Sequence, residues 1–425
     1  QRPRLAKIAQ NVAWLSLDQV LRMGLGMLVG VWAARYLGPE QFGKLNYAIA
    51  FVGLFAAVGS LGLQPIVVRE IVRRGREPGV ILGSAIALQL GGGLLALLLA
   101  LSASLVFSAD DAVLRASVAI LCITLPFRAS DTVRYWFESQ VESRYVVWVE
   151  NGIFLLACAA RIGLILAEAS LLAFVVLAML ETVLVSVGLL CVYFRRVGAM
   201  ARWRVELAAM RALLTDSWPY FLAAVSVTLY MRMDIVMLQQ MSSSHEVGVY
   251  SAAARISELL YVVPMILIGS ISPALIALHQ EDRRRYLGRM QRLYAAGWWF
   301  AVAASAVLCL LAAPLVGLAF GRDFADAGGV LAIHVWGSIA VVHGITSSQH
   351  LLVENLQKVS LYRTLTGLCC NFILNAAAIP LFGAKGAACA TVISYFVSTY
   401  SLVLFRTVRE HALFMMASPF RRGDS

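Results

Sequence analysis

Charge is scarce in this chain. Asp, Glu, Lys and Arg make up 14% of its 425 residues, where soluble globular proteins carry about 25%. With 60% of residues hydrophobic and a mean hydropathy of +0.78, no water-soluble core could hide the apolar surface. Lipid is therefore the solvent for most of the chain. Cysteine is sparse as well. The seven present are Cys122, Cys158, Cys191, Cys309, Cys369, Cys370 and Cys389, all inside apolar runs and none in a CxxC pair. That excludes a disulfide framework or a thiolate metal site and predicts small buried hydrophobes. Phosphate loops are missing too. Gly24-x-Gly26 follows no strand, and Gly91-Gly92-Gly93 leads into no Gly-Lys-Ser/Thr. His334, His343 and His350 lack an acid at ligand spacing and read as satisfied core histidines. No cofactor, metal or catalytic residue is expected.

What the chain does contain is a series of long apolar runs. A membrane helix needs about 20 mainly apolar residues. Such stretches fall at 9–34, 42–63, 79–106, 112–133, 146–167, 169–194, 217–241, 248–277, 294–319, 328–351, 361–381 and 384–406. The expected fold class is an all-α polytopic membrane protein of about 12 transmembrane helices. A β-barrel is excluded, because its strands alternate and are half as long. The first run is too long for a signal-peptide core and has no small-residue cleavage site.

The formal net charge of +11 does not point to nucleic acid, which needs basic residues gathered on one folded face. Here they sit in short clusters between apolar runs. With the N-terminus in the cytoplasm, 25 of the 35 Lys and Arg fall in cytoplasmic segments. Five (Arg35, Lys44, Arg115, Arg322 and Lys385) fall opposite, and five lie within spans. A miscounted helix would spoil this asymmetry, so both termini are expected in the cytoplasm. The domains expected are a six-helix bundle at 1–194, a basic, amphipathic cytoplasmic linker at 195–216 lying on the membrane surface, and a second six-helix bundle at 217–425 with a short cytoplasmic tail. Glu40-Gln41-Phe42-Gly43 before the second helix and His245-Glu246-Val247-Gly248 before the eighth, offset by 205, fit parallel repeats.

Five cations sit inside the predicted spans: Arg22, Arg128, Arg161, Arg232 and Arg255. Each charge at the bilayer centre costs at least ~2.5–3.5 kcal/mol, so these must face protein or a water-filled cavity. Acids in or beside spans are Asp18, Asp131, Glu181, Asp234 and Glu258. Asp18 with Arg22, Arg128 with Asp131, and Arg255 with Glu258 share helix faces at i,i+4 or i,i+3. Arg161 and Glu181 have no opposite charge within a turn, and Arg232 and Asp234 point different ways. Ion pairs tying helices together would explain any single pair. The whole set fits a hydrated cavity better, because membrane helices are joined mainly by small residues and uncharged hydrogen bonds. Forked guanidinium donors suit pyrophosphate, and a lone buried carboxylate suits ion coupling. Pro65, Pro126, Pro219, Pro264, Pro273 and Pro314, with Gly24-x-Gly26 and the triple glycine, would let helices bend between access states.

Several segments resemble the Wzx-type polysaccharide and O-antigen flippases of the multidrug/oligosaccharidyl-lipid/polysaccharide exporter superfamily. They include Ala34-Arg35-Tyr36-Leu37-Gly38-Pro39-Glu40-Gln41-Phe42-Gly43 and Val67-Val68-Arg69-Glu70. The most specific are Tyr230-Met231-Arg232-Met233-Asp234 and Val247-Gly248-Val249-Tyr250-Ser251-Ala252-Ala253-Ala254-Arg255-Ile256-Ser257-Glu258. Ser360-Leu361-Tyr362-Arg363-Thr364 and Phe382-Gly383-Ala384-Lys385-Gly386 follow. The chain departs at Ile235-Val236, where a more polar residue after Asp234 is expected. The resemblance implies two six-helix bundles in a MATE-like, V-shaped arrangement in the bacterial inner membrane. It implies undecaprenyl-pyrophosphate-linked oligosaccharide as substrate, moved by alternating access and coupled to a proton or sodium gradient. Polysaccharide polymerase and chain-length machinery would be partners. The five arginines would line the cavity, with Asp18, Asp234 and Glu181 as coupling or positioning acids and Asn46, Tyr47, Gln140 and Tyr230 in support. A multidrug or organic-cation exporter of the same superfamily is the alternative, although its cavity should be acidic and aromatic. A membrane polymerase or ligase of lipid-linked glycans would carry a large periplasmic loop, and none is evident.

Overall fold

The computed structural model describes residues 2–73, 76–108, 111–198 and 203–420, with side chains from Arg22 onward. Asp18 and the basic residues Arg74, Arg202, Arg421 and Arg422 lie outside the described side chains. Among the described residues every regular element is helical, as expected where lipid offers the backbone no hydrogen-bond partner.

Contacts divide the chain into two units. The first comprises Gln1–Leu37 and Lys44–Thr228. It holds most of α1 (Arg2–Ser60), then α2 (Gln64–Arg73), α3 (Pro78–Phe107), α4 (Ala112–Cys122), α5 (Thr124–Phe127), α6 (Asp131–Ser139), α7 (Arg144–Leu166), α8 (Leu171–Val197) and the start of α9 (Leu207–Met241). The second comprises Gly38–Gly43 and Leu229–Ser425. It holds the rest of α9, then α10 (Ser244–Glu281), α11 (Arg283–Leu310), α12 (Ala312–Phe320), α13 (Ala327–His334), α14 (Gly337–Val353), α15 (Gln357–Tyr400) and α16 (Arg409–Ala417).

Among the described residues nine helical stretches are long and apolar enough to cross a membrane, and α13 with α14, bent by 41°, makes a tenth. Two stretches are far too long for one crossing. The 59 residues of α1 would reach about 90 Å at ~1.5 Å each, three times a hydrocarbon core. Each of the two is broken at a glycine with positive φ: Gly38 (φ 70°, ψ 170°), followed by Pro39, in α1, and Gly383 (φ 55°, ψ −132°) in α15. Only glycine takes such angles at no steric cost. Divided there, the chain has about twelve crossings. Leu156 and Leu310 are among the many large apolar side chains left on the outside, where a membrane protein meets lipid. Cys191, Cys369 and Cys389 also lie exposed. Only Cys122 and Cys158 are buried, and Cys309 and Cys370 are half-buried, so the expectation of seven buried cysteines fails for five, because a thiol is apolar enough to face lipid.

Other differences have local causes. The run 112–133 is not one helix. It is α4, α5, a 3₁₀ turn at Arg128–Ser130 and α6. Pro126 has no N–H to give the carbonyl of Cys122, where α4 ends. By contrast, α3 runs unbroken through its triple glycine, and α10 through Pro264 and Pro273. Gly93 serves close packing instead: a Cβ there would come 2.7 Å from the Leu125 carbonyl oxygen. Helix α9 starts ten residues ahead of the apolar run at 217. Its Leu213 joins the first unit's core with Leu63, Ile66, Val67, Val133, Phe137 and Tyr193.

The repeated glycine steps at 43 and 248 meet inside the second unit. A Cβ on Gly43 would lie 1.7 Å from the Ser244 carbonyl oxygen, and one on Gly248 would lie 1.9 Å from that of Pro39. Phe42 and Val247 beside them are fully buried. The segment 38–43 thus packs against the start of α10 backbone to backbone, as small residues allow between membrane helices.

Candidate functional site

The predicted charges fall into two groups, one in each unit. In the first unit, the broken span α4–α6 and helices α1, α7 and α8 surround a cavity of about 280 Å³. Arg22, Arg128, Asp131 and Glu181 line it, as do Arg134 and Glu150, which the sequence reading did not single out. Glu150 is 8% exposed and uses both oxygens. Oε2 accepts from Arg22 Nη2 at 3.0 Å, and Oε1 accepts from Arg134 Nη2. Arg22 also lies over the Phe154 ring, 5.7 Å from its centroid. Arg161 on α7 pairs with Glu181 on α8, so the two charges that lacked a partner within a turn find each other between helices.

The expected pairing of Arg128 with Asp131 does not form. Asp131 lies 3.6 Å from Arg134 instead. The 3₁₀ turn at Arg128–Ser130 precedes the helix that carries Asp131 and Arg134, so i,i+3 spacing works only within α6. Arg128 is exposed on the cavity wall with no ion-pair partner among the described residues. Arg22, Arg128 and Arg134 thus line the cavity with three carboxylates, and because Glu181 is taken by Arg161, Arg128 is the cation left over among the described residues. The donor Arg134 Nε is buried without an acceptor. The proposed partner of Arg22, Asp18, lies outside the described side chains.

In the second unit Asp234 is 6% exposed and meets only neutral donors. Its Oδ2 accepts from Tyr250 Oη at 2.9 Å and Thr391 Oγ1 at 2.7 Å. Its Oδ1 accepts from Asn375 Nδ2 at 2.7 Å. Asn375 also donates to Asn371 Oδ1 at 3.0 Å, while its own Oδ1 is buried without a partner. A buried carboxylate held by dipoles alone is costly to keep charged unless a cation joins it. Arg232, two residues away, is exposed, as expected if the two side chains diverge. Glu258 lies in the field of both Arg232 and Arg255, and Arg255 stacks over Phe42, 4.9 Å from its centroid. Of the suggested supporting residues, Tyr47 is fully buried and packs on Phe51. Tyr230 packs on Tyr395, with its hydroxyl buried and unbonded.

One further cation escaped the sequence reading. Arg363, counted with the cytoplasmic Lys and Arg, lies in α15 and donates to Ser347 Oγ at 2.8 Å and Ser348 Oγ at 2.9 Å. The histidines are core groups with hydroxyl or carbonyl partners. His334 Nδ1 meets Ser257 Oγ at 2.7 Å, His350 Nδ1 meets Tyr286 Oη at 2.9 Å, and His343 bridges Tyr400 Oη and the Tyr294 carbonyl. His411 of α16 stacks on His350 at 3.4 Å and accepts from or donates to Tyr294 Oη at 2.9 Å. Burial, reinforced by His350, pushes its pKa down to about 3.

Helices of this length, an apolar exterior and charge kept inside helical units define a multi-pass membrane protein. A family model described as "Polysaccharide biosynthesis protein" matches residues 8–279, and the chain belongs to that family. Two curated relatives come from Haloferax volcanii. "Probable low-salt glycan biosynthesis flippase Agl15" is 23% identical over 406 residues, 92% of this chain and 82% of the relative. "Probable flippase AglR" is 29% identical over 174 residues, 39% of this chain and about a third (35%) of the relative's length. Among solved structures, the lipid II flippase MurJ in an inward closed conformation aligns at TM-score 0.76 with 14% identity, over 95% of this chain and 90% of that one. An inward-facing multidrug resistance MATE family transporter of the MOP superfamily aligns at 0.74 with 15% identity, over 96% and 99%. At these identities the likeness is one of fold, and it matches the fold class expected from the sequence.

Proposed function

We propose that this protein is a flippase, not an enzyme. It moves undecaprenyl-pyrophosphate-linked oligosaccharide repeat units from the cytoplasmic to the periplasmic leaflet by alternating access. The observation that carries the reading is the first unit's cavity, where Arg22, Arg128 and Arg134 converge and Arg128 has no counter-ion among the described residues. A phosphate group supplies the missing negative charge, and forked donors suit its oxygens. The names of the Haloferax relatives support glycan carriers as the substrate class. At about 280 Å³ the cavity suits the phosphates and a proximal sugar, not a whole repeat unit. Arg232 and Arg255 add cationic surface in the second unit. Asp234, which has no ion-pair partner among the described residues, is the candidate for coupling to a proton or sodium gradient. The protein sits in the bacterial inner membrane with both termini cytoplasmic, where basic segments gather the anionic headgroup.

An organic-cation exporter would need a cavity of the opposite sign, and the excess guanidinium disfavours it. The test is deletion of the gene in its host, with complementation by wild type and by Arg128→Ala at matched protein level. The expected result is loss of surface polysaccharide and accumulation of cytoplasmic lipid-linked units, rescued by wild type alone. Full rescue by Arg128→Ala would remove this cavity from the function.

A further inference from the structure

We infer that Glu150 controls release of the carrier headgroup: it competes with the phosphate for Arg22 and Arg134 and takes them back when the phosphate leaves. The inference rests on the flippase reading and deepens it. Glu150 presents two acceptor oxygens on one centre to two guanidiniums from different helices, Arg22 on α1 and Arg134 on α6. A phosphate with two free oxygens offers the same acceptor pair, so it can replace the carboxylate with little movement of either arginine. Arg134 Nε, buried and without an acceptor, and Arg128 supply donors that Glu150 does not occupy.

Transport gives such competition a purpose. A site must bind strongly enough to be entered and weakly enough to be left. Uncompensated, Arg22, Arg128 and Arg134 would hold a pyrophosphate too tightly to let it go. With Glu150 and Asp131 in place, two of the three cavity arginines, Arg22 and Arg134, are already balanced inside the unit. An arriving headgroup then gains only the difference between its own contacts and those it displaces. Glu150 has the largest share, because it alone holds two guanidiniums.

The experiment measures inorganic pyrophosphate binding to the purified full chain, together with translocation in proteoliposomes, for wild type, Glu150→Gln, Glu150→Asp and Arg128→Ala. Glu150→Gln should bind pyrophosphate about fivefold tighter or more, the usual scale of coupling between two ligands. Its KM and maximal translocation rate should fall together, and Glu150→Asp should restore both. A merely structural glutamate would leave affinity unchanged or weaken it. Unchanged or weaker binding by a Glu150→Gln protein that melts like wild type would overturn the inference. Should Glu150→Gln not fold, Asp131→Asn, which removes the other carboxylate beside Arg134 in the cavity, must show the same tightening, and its absence would be equally decisive. The two levels separate cleanly. Wild-type binding that is lost in Arg128→Ala but unaltered in Glu150→Gln sinks this inference alone. No pyrophosphate binding by wild type sinks the flippase reading as well.

Discussion

Replacing Asp234 by Asn should barely change stability while abolishing ion dependence. The carboxylate accepts three hydrogen bonds, and each donor has a second acceptor at hand. Thr391 Oγ1 also bonds the Ala387 carbonyl at 2.8 Å, Asn375 Nδ2 bonds Asn371 Oδ1 at 3.0 Å, and Tyr250 Oη lies 3.1 Å from Thr391 Oγ1. Removing the charge therefore leaves no orphaned donor, which would otherwise cost about 1–3 kcal/mol each. It also relieves the desolvation of a buried ion, worth several kcal/mol. Against that relief stands the loss of three hydrogen bonds to a charged acceptor, and the variant should fall within ~1 kcal/mol of wild type. Thermal unfolding in detergent, with and without sodium and across pH, measures this beside translocation. A loss above ~3 kcal/mol, the scale of breaking a buried ion pair, or retained ion-dependent transport, would refute the view of Asp234 as a coupling group without a resident cation.

Other predictions follow from the same structure. Gly43→Ala and Gly248→Ala should each destabilise by ~3 kcal/mol, the upper range for overpacking, because the obstructing atoms are backbone oxygens at 1.7 and 1.9 Å; unfolding midpoints like wild type would contradict this. The pair Arg161 and Glu181 should show coupling in a double-mutant cycle, with Arg161→Met/Glu181→Met more stable than either single variant, since each single change strands a charge. His411 titrates near 3 in the folded protein against an ordinary value near 6.5. Its contribution is thus full above pH 6.5 and lost as pH falls from there toward 3, by at most about 2 kcal/mol between pH 7 and 5. His411→Gln should flatten that part of the stability profile, and an unchanged profile would count against it.

The fold was largely legible because lipid imposes long apolar helices, so that an expected 79–106 becomes Pro78–Phe107 and 169–194 becomes Leu171–Val197. Gly38-Pro39 also announces its own break. The site was legible as a set of costly charges but not as a geometry. Local spacing paired Arg128 with Asp131, and the 3₁₀ turn set by Pro126 undid it. Spacing could not pair Arg161 with Glu181, because that contact joins two helices. Arg134 and Arg363 were hidden among topology signals, which any Arg near a span end imitates. Glu150 carried one available signal: it is an acid within six residues of a span's start, with Arg144 its nearest preceding cation. The buried partners of Asp234 on α10 and α15 are ordinary polar residues whose convergence only the fold reveals.

The central claim is tested most directly by purified protein in proteoliposomes holding an undecaprenyl-pyrophosphate-linked oligosaccharide. Exposure of the glycan to a membrane-impermeant glycosidase is followed over time. The account predicts protein-dependent translocation that Arg128→Ala abolishes and that an imposed proton or sodium gradient accelerates. Protein-containing and empty vesicles with identical glycan exposure, under either gradient, would contradict it.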